Sequence, residues 1–308
     1  MPFSVAIPVY NNYDFWPLIP INNHVIISCR VKDYGEIGQK AVLKGAITLH
    51  ALDDTQMQSY LSNQPDLWAT LQADNKLREV ARTPLLLSLF AYAFNGLDEE
   101  AKKLHDLSRG DLRDKVFETY VRRRYDYEAR KHPLRYTFEE MAAALQHAAF
   151  ANAGDIKRRK NILLASDFVT DGQIDAPALI DQAQQLHLLV PTESGEYRFI
   201  HLLLRDYFAF PMALEALDDQ QRGANDPFTL ITPTQRKQAD LHRRALWALA
   251  EIGDARAVNS VSRMLGSENP ATHVFAMNAL ERIGTPEALA AMTAWRQRKR
   301  WWQFWRRS

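Results

Sequence analysis

Cysteine, long apolar runs and metal-binding clusters are what this sequence has least of. Cys29 is the only cysteine among the 308 residues, which excludes an intrachain disulfide and favours a reducing compartment. No stretch approaches the roughly 18 consecutive apolar residues of a membrane-spanning helix. The first residues, MPFSVAIPVY, lack the basic and apolar segments of a signal peptide. We therefore expect a cytoplasmic protein. The nine histidines are scattered without zinc-ligand spacing, so we expect no metal site.

Phosphate-binding machinery is also missing. A nucleoside triphosphate is held by a Gly-rich loop of the pattern G-x-x-x-x-G-K-[ST], which supplies backbone N–H groups, a lysine and a hydroxyl for Mg²⁺. This pattern does not occur, and no apolar strand before Arg30 ends in paired acids. The sequence therefore predicts that this chain is not catalytically competent alone and carries no cofactor of its own.

The remaining composition is that of a folded protein, with 46% hydrophobic residues and a net charge of +1. The first part is mixed: FSVAIPVY (3–10) and HVIISCR (24–30) are apolar runs separated by Asn and Pro, which predicts short strands. LKGAITLHAL (43–52) predicts another strand, and DDTQMQSYLS (53–62) predicts the start of a helix. From about Leu71 the apolar residues recur at helical spacing.

The segment from Thr137 to Leu217 follows a different plan. Thr137 and Glu140 have the spacing of a capping box at the start of a helix, and APALIDQAQQLHLL (176–189) predicts a second helix. LLVPTESGEYRFI (188–200) predicts a hairpin with Ser-Gly at its turn, and the next helix follows it directly. This order of elements is typical of a winged-helix domain.

The last part of the chain repeats itself. ALWALAEIGDARAV (245–258) aligns without a gap with AMNALERIGTPEAL (276–289), at an offset of about thirty residues that is typical of helical-hairpin arrays. We expect the Gly of each copy to end a helix in a left-handed turn. Since an array needs about three copies to be stable, the preceding domain is predicted to cover one end. The predicted buried positions are Ala248, Leu249, Ile252, Ala279, Leu280 and Ile283.

Three segments in order, VIISCRVKDY, LREVARTPLLLSLF and YRFIHLLLRDYFAF, resemble the C-terminal half of a NACHT-type signalling ATPase of the STAND class with HEAT repeats attached. The resemblance covers about residues 24 to 215, and the repeats extend it to about 295. It implies a mostly α fold that ends in an α-solenoid. The implied domains are a remnant of an α/β P-loop NTPase core (1–70), a helical subdomain (71–135), a winged-helix domain (136–220), HEAT-like repeats (221–295) and a basic aromatic tail (296–308).

The same resemblance implies three nucleotide-binding residues, which would meet ATP or ADP if the missing core were supplied. Arg30 would point at the terminal phosphate, Pro84 would contact the base, and His201 would donate a hydrogen bond to a phosphate. Each has a simpler alternative. Arg30 is then solvated or paired with Asp33, while Pro84 and His201 stand at the starts of helices.

Two basic segments allow further interpretations. KRRK (157–160) and RRR (122–124), beside a predicted winged helix, raise the alternative of DNA binding, although acids around the second run favour a solvated helix face.

The tail WRQRKRWWQFWRRS (295–308) has six basic residues and no acid. On a helix, its tryptophans and its basic residues largely separate onto two halves. Such a helix lies in a membrane interface or docks in the groove of a partner, or else it caps the repeats. The residues assigned to this membrane or partner surface are Trp301, Trp302, Trp305, Arg306 and Arg307.

Taken together, the sequence favours a regulatory interaction protein, in which the HEAT surface meets a protein partner or ligand and a homo-oligomer is a further option. The alternatives are a winged-helix DNA-binding regulator and an active NTPase with a divergent site.

Overall fold

The computed structural model describes residues 4–8, 24–28, 50–96, 104, 107, 109–158, 161–168, 174–218, 233–267 and 269–305. For 4–8, 24–28, 76, 109, 233–239, 270 and 298–305 the description is limited to the backbone. The chain forms two compact units, residues 1–51 and residues 52–308.

The first unit contains two parallel strands, β1 (Ser4–Pro8) and β2 (His24–Ser28). Their register places Ser4 opposite His24 and Pro8 opposite Ser28. Both strand predictions are therefore confirmed. The third predicted strand falls mostly outside the described residues, as do Cys29, Arg30 and Asp33.

The second unit begins with helices. Asp53 caps the first of them with a capping box completed by Gln56, which confirms the helix start predicted there. Regular helix thus begins well before Leu71. The helices of this part are α1 (Asp54–Tyr60), α2 (Pro65–Ala73), α3 (Asn75–Ala81), α4 (Pro84–Phe94) and α5 (Arg109–Ala129).

A group of helices with a hairpin follows. The capping box of Thr137 and Glu140 is confirmed, since each residue bonds the other's backbone N–H. The hairpin is antiparallel and turns at Gly195, whose φ is 77°, and an isolated bridge joins Leu163 to Tyr197. The elements are α6 (Phe138–Ala153), a 3₁₀ turn (Ala165–Phe168), α7 (Ala176–Gln185), β3 (Leu189–Pro191), β4 (Tyr197–Phe199) and α8 (Leu202–Asp218).

Two stacked helical hairpins complete the described chain: α9 (Pro233–Ile252), α10 (Val258–Arg263), α11 (Pro270–Ile283) and α12 (Pro286–Trp305). Gly253 and Gly284 have φ values of 68° and 67°, so both glycines make the predicted left-handed turn. Helix α9 packs between α8 and α11, which confirms that the preceding region covers one end of the stack.

The predicted core of the repeats is confirmed with one correction. Five of the six predicted positions are buried: Ala248, Leu249, Ala279, Leu280 and Ile283. Ile252 is half-buried and packs against the edge of the core. Ile283 holds the equivalent last position of α11 and is buried, so the difference comes from what packs around each copy and not from the place in the helix.

The tail is helical as far as Trp305, because α12 continues through it without a break. The Trp295 indole N–H donates to the carbonyl of Leu265 at 2.8 Å, and the ring meets His273 edge-on. Trp295 is therefore docked on the repeats. The side chains of Trp301, Trp302 and Trp305 lie outside the described part, together with residues 306 and 307.

Candidate interaction surface and charged junction

Two of the three residues implied for nucleotide binding stand at helix starts. Pro84 is the first residue of α4, after Thr83. The His201 imidazole accepts, through Nδ1, a hydrogen bond from the Leu203 N–H at 3.0 Å in the first turn of α8. These placements match the simpler alternatives for both residues. A nucleotide contact through either of them, or through Arg30, stays a prediction.

A dense group of charges joins the repeats to α5. After the turn at Gly253, the Asp254 carboxylate accepts the backbone N–H of Arg256 at 2.9 Å and a guanidinium N–H at 2.8 Å. The same guanidinium contacts Asp111 at 2.9 Å and Asp114 at 2.8 Å, both on α5. Arg113, the remaining member, reaches Asp254 at 2.8 Å. We call these five residues the junction cluster.

Two uncharged residues shape the space around Arg256. Its guanidinium carbon lies 4.5 Å from the centre of the Phe210 ring on α8, a distance typical of a cation–π contact. Gly110 on α5 lies so close that a Cβ there would stand 2.4 Å from Arg256 Nε. A single arginine thus links α5, α8 and the repeat turn, and only glycine leaves room for it.

The pKa values of two carboxylates in the junction cluster are shifted in opposite directions. Burial alone would raise the pKa of Asp254, but hydrogen bonds and charge from Arg256 and the charge of Arg113 outweigh it, so the pKa is lowered. For Asp114 burial prevails over the same two cations, and its pKa is raised. Burial would lower the pKa of Arg256, yet its bonds to Asp254 and Asp114 raise it. Arg256 therefore stays protonated.

A buried polar network holds the helices around the hairpin. Arg205 on α8 donates to Asp206 at 2.9 Å and to the Asn152 side-chain oxygen on α6 at 3.2 Å. Asn161 bonds Asn152 through its N–H and pairs with both backbone polar groups of Phe199 on β4. Sequence reasoning missed this network, although an Arg-Asp pair inside an otherwise apolar helix was a usable signal.

The outward rows of α9 and α11 form a candidate partner surface. The repeat offset of 31 residues aligns the rows, so that Arg282 faces α9. Its guanidinium pairs with Glu251 at 2.6 Å and lies 5.2 Å from the Trp247 ring centre. Val274, two turns earlier on α11, is 68% exposed. Tryptophan and arginine are enriched where proteins bind each other. We call this surface the outer face: Trp247, Val274, Asn278 and Arg282.

The structure gives little support to DNA binding. Helix α7, which precedes the hairpin, contains no Lys or Arg, and the hairpin loop carries Glu193 and Glu196. Two arginines of the 122–124 run already have hydrogen-bond acceptors within the fold. Arg123 donates to two carbonyls at the end of α4, and Arg124 donates to the Leu186 carbonyl. The predicted solvated face is therefore wrong for these two arginines, which tie neighbouring elements together.

Membrane spans and metal sites were also searched in the described residues. None of their helices combines the length and apolar character needed to cross a membrane. Within the same residues, His, Cys, Asp and Glu side chains do not gather into a group that could hold a metal ion.

Comparison with known proteins bears on the repeats. Residues 233–304 match the family model for HEAT repeats, a range that covers α9 to α11 and nearly all of α12. A search of curated proteins gave no match. The HEAT-like repeats predicted from the sequence are thereby confirmed, and repeats of this kind commonly mediate contacts between proteins.

Proposed function

We propose that this chain is a regulatory, protein-binding module of the cytoplasm whose HEAT-like repeats receive a protein partner. The observation that carries the proposal is the outer face, where Arg282 lies over Trp247 and α11 also exposes Val274. A pre-positioned Trp–Arg pair loses little side-chain entropy on binding, which favours affinity.

We further propose that residues 136–220 form a winged-helix domain of the NACHT type. The order α6, the bridge at Leu163, the 3₁₀ turn, α7 and the β3–β4 hairpin supports this assignment. Residues 71–135 then correspond to the helical subdomain, and residues 1–70 to a remnant of the NTPase core. Because the phosphate loop pattern is absent from the sequence, the module regulates and does not hydrolyse nucleotide by itself.

The junction cluster gives this module a route for relaying binding. A partner on the outer face would contact both α9 and α11. The turn after α9 places Asp254 and Arg256 in contact with α5. A small rotation of the repeats would change several charge-assisted bonds at once. Such bonds are short and directional, so two discrete arrangements are favoured over a continuum.

Photo-crosslinking tests the proposal. A benzoylphenylalanine at Val274, in the full chain exposed to host-cell extract, is expected to give a discrete protein adduct that weakens in the Arg282→Ala background. The matched control places the same probe at Tyr127, an exposed residue on α5. A product of twice the chain mass would identify a second copy as the partner.

The outcome against the proposal is equally concrete. If Val274 and Tyr127 give the same adducts, or if Arg282→Ala changes nothing while circular dichroism shows an intact fold, the outer face is not the binding surface. Measurable ATP turnover by the purified chain would contradict the regulatory, non-catalytic assignment.

A further inference from the structure

A cleft of about 420 Å³ lies between the end of α6, with the loop that follows it, and the middle of α9. Its volume falls in the range of about 300–1,000 Å³ that is typical of small-ligand sites. The lining is unusual for such a site because charged residues dominate it. Four cations line the cleft: Lys157, Arg158, Arg243 and Arg244.

The walls of the cleft are fixed by a close approach of the chain at Gly154. A Cβ at this position would lie 3.1 Å from both the Cβ and the carbonyl oxygen of Arg244. The φ of Gly154 is −83°, a value open to any residue, so glycine is needed here for space alone. The end of α6 therefore rests directly on the α9 backbone, and the cleft is part of the packed fold.

Two of the four cations already have partners. The Arg158 guanidinium donates to both carboxylate oxygens of the buried Asp167, at 2.7 and 2.6 Å, and also meets Asp155. Arg243 pairs with Asp240 one turn earlier on α9. These two arginines are held in place at the edges of the cleft.

The other two cations lack a carboxylate within the described part of the chain. Arg244 lies 5.4 Å from the Phe150 ring, and the Lys157 ammonium is exposed. A basic residue just past a helix end complements the helix dipole by about 0.3–1 kcal/mol, which accounts for Lys157 after α6. It does not account for Arg244, which belongs to another helix.

The arrangement points to a missing negative charge. The lining carries four cations and two carboxylates, Asp155 and Asp240. With Asp167, which pairs with Arg158, the local formal charge is +1. We propose that the cleft binds a small phosphate-bearing organic anion. The Arg244 guanidinium offers a fork of N–H donors suited to phosphate oxygens, and Lys157 adds a mobile point charge.

An apolar side chain in the lining narrows the chemical class of ligand that fits the cleft. Ile156 also lines the cleft and is 52% exposed, which places a hydrophobic side chain beside the cations. A phosphate ester with a compact apolar portion uses both features. A long nucleic acid strand would instead need an extended basic surface, and α7 and the hairpin loop contain no Lys or Arg.

Calorimetry with inorganic pyrophosphate tests the proposal on the full chain. We expect saturable binding at one site. Lys157→Gln and Arg244→Gln should each weaken it about tenfold, the loss that corresponds to one charge-assisted hydrogen bond. Phenyl phosphate, which adds an apolar ring, should bind more tightly than inorganic phosphate. The matched control is Arg198→Gln, an exposed cation on β4 outside the cleft, and it should leave binding unchanged.

Each contrary outcome is distinct. Absence of saturable binding, or equal losses in Arg198→Gln and the cleft variants, overturns the proposal. Tighter binding of a duplex oligonucleotide through the same residues overturns it in favour of nucleic acid. If Arg244→Gln fails to fold because it loses its contact with Phe150, Lys157→Gln decides the matter, since its ammonium supports no other described group.

Discussion

The junction cluster and the cleft both gather arginines where the repeats meet the preceding helices, yet their charges are balanced in opposite ways. In the junction cluster, three carboxylates face two arginines, and Arg256 contacts all three carboxylates. In the cleft, four cations have three carboxylates within reach, Asp155, Asp240 and Asp167, and Arg244 pairs with none of them. The ratio of cations to carboxylates within reach, more than the number of arginines, separates a structural site from a candidate ligand site.

The largest effect is expected for Arg256→Gln. Removing the guanidinium leaves Asp111, Asp114 and the Asp254 carboxylate, which is 6% exposed, without their main cation. Breaking a fully buried pair costs about 3–5 kcal/mol. Since the Arg256 side chain is one-quarter exposed, we expect a loss of about 2–3 kcal/mol.

Urea unfolding measures this loss, with Arg198→Gln as the control for removing one exposed positive charge. A loss within about 0.5 kcal/mol, the usual range for surface substitutions, would mean that the junction cluster does not hold the repeats to α5.

A smaller loss is expected for Gly110→Ala. Alanine should favour α5 by about 0.5–1 kcal/mol through helix propensity, but its Cβ would stand 2.4 Å from Arg256 Nε. Because Arg256 is held by three carboxylates and Phe210, moving it breaks several contacts. We expect a net destabilisation of about 1 kcal/mol.

Thermal melts compare Gly110→Ala with Gly266→Ala, where a Cβ would meet nothing within 4 Å. A variant at Gly110 more stable than the parent would show that Arg256 relocates without cost, and the junction cluster would then be looser than its geometry indicates.

The smallest effect at neutral pH is expected for the buried His242 of α9. The ring is buried, its Nε2 lacks a partner among the described groups, and burial lowers its pKa. A histidine with a lowered pKa binds protons more readily when unfolded, so stability falls as pH drops below about 6.5, its unfolded value. His242→Leu should leave stability at pH 8 nearly unchanged and flatten this decline.

Melting temperatures between pH 8 and pH 5 give the measurement, and Arg198→Gln is the matched control because this exposed residue should leave the decline unchanged. If His242→Leu keeps the full parental decline, the acid sensitivity belongs to other groups.

The local features of the fold could be predicted because their causes are local. Thr137 and Glu140 are three residues apart, and the left-handed turns at Gly253 and Gly284 depend on glycine itself. The repeats were found because the same apolar pattern occurs twice at one offset. The winged-helix and NACHT assignments use longer-range order along the chain, and they stay predictions.

The charged contacts could not be predicted for the opposite reason. Asp111 and Arg256 are 145 residues apart in sequence, and nothing in either neighbourhood indicates the other. From the sequence alone, charged residues such as Asp114 were predicted to lie on a solvated helix face. The arginines at 123 and 124 were misjudged in the same way, because their acceptors are carbonyls of distant residues that carry no side-chain signal.

Helix α9 has a mechanical consequence. Its 20 residues make a rod about 30 Å long at 1.5 Å per residue. Arg243 and Arg244 of the cleft, Trp247 of the outer face and the turn leading to Asp254 follow one another along it. A tightly packed helix transmits a displacement along its length. A rigid-body tilt of α9 about its contact with α8 would therefore move these sites together. Partner binding at Trp247 and ligand binding in the cleft would then both change the contacts of Arg256.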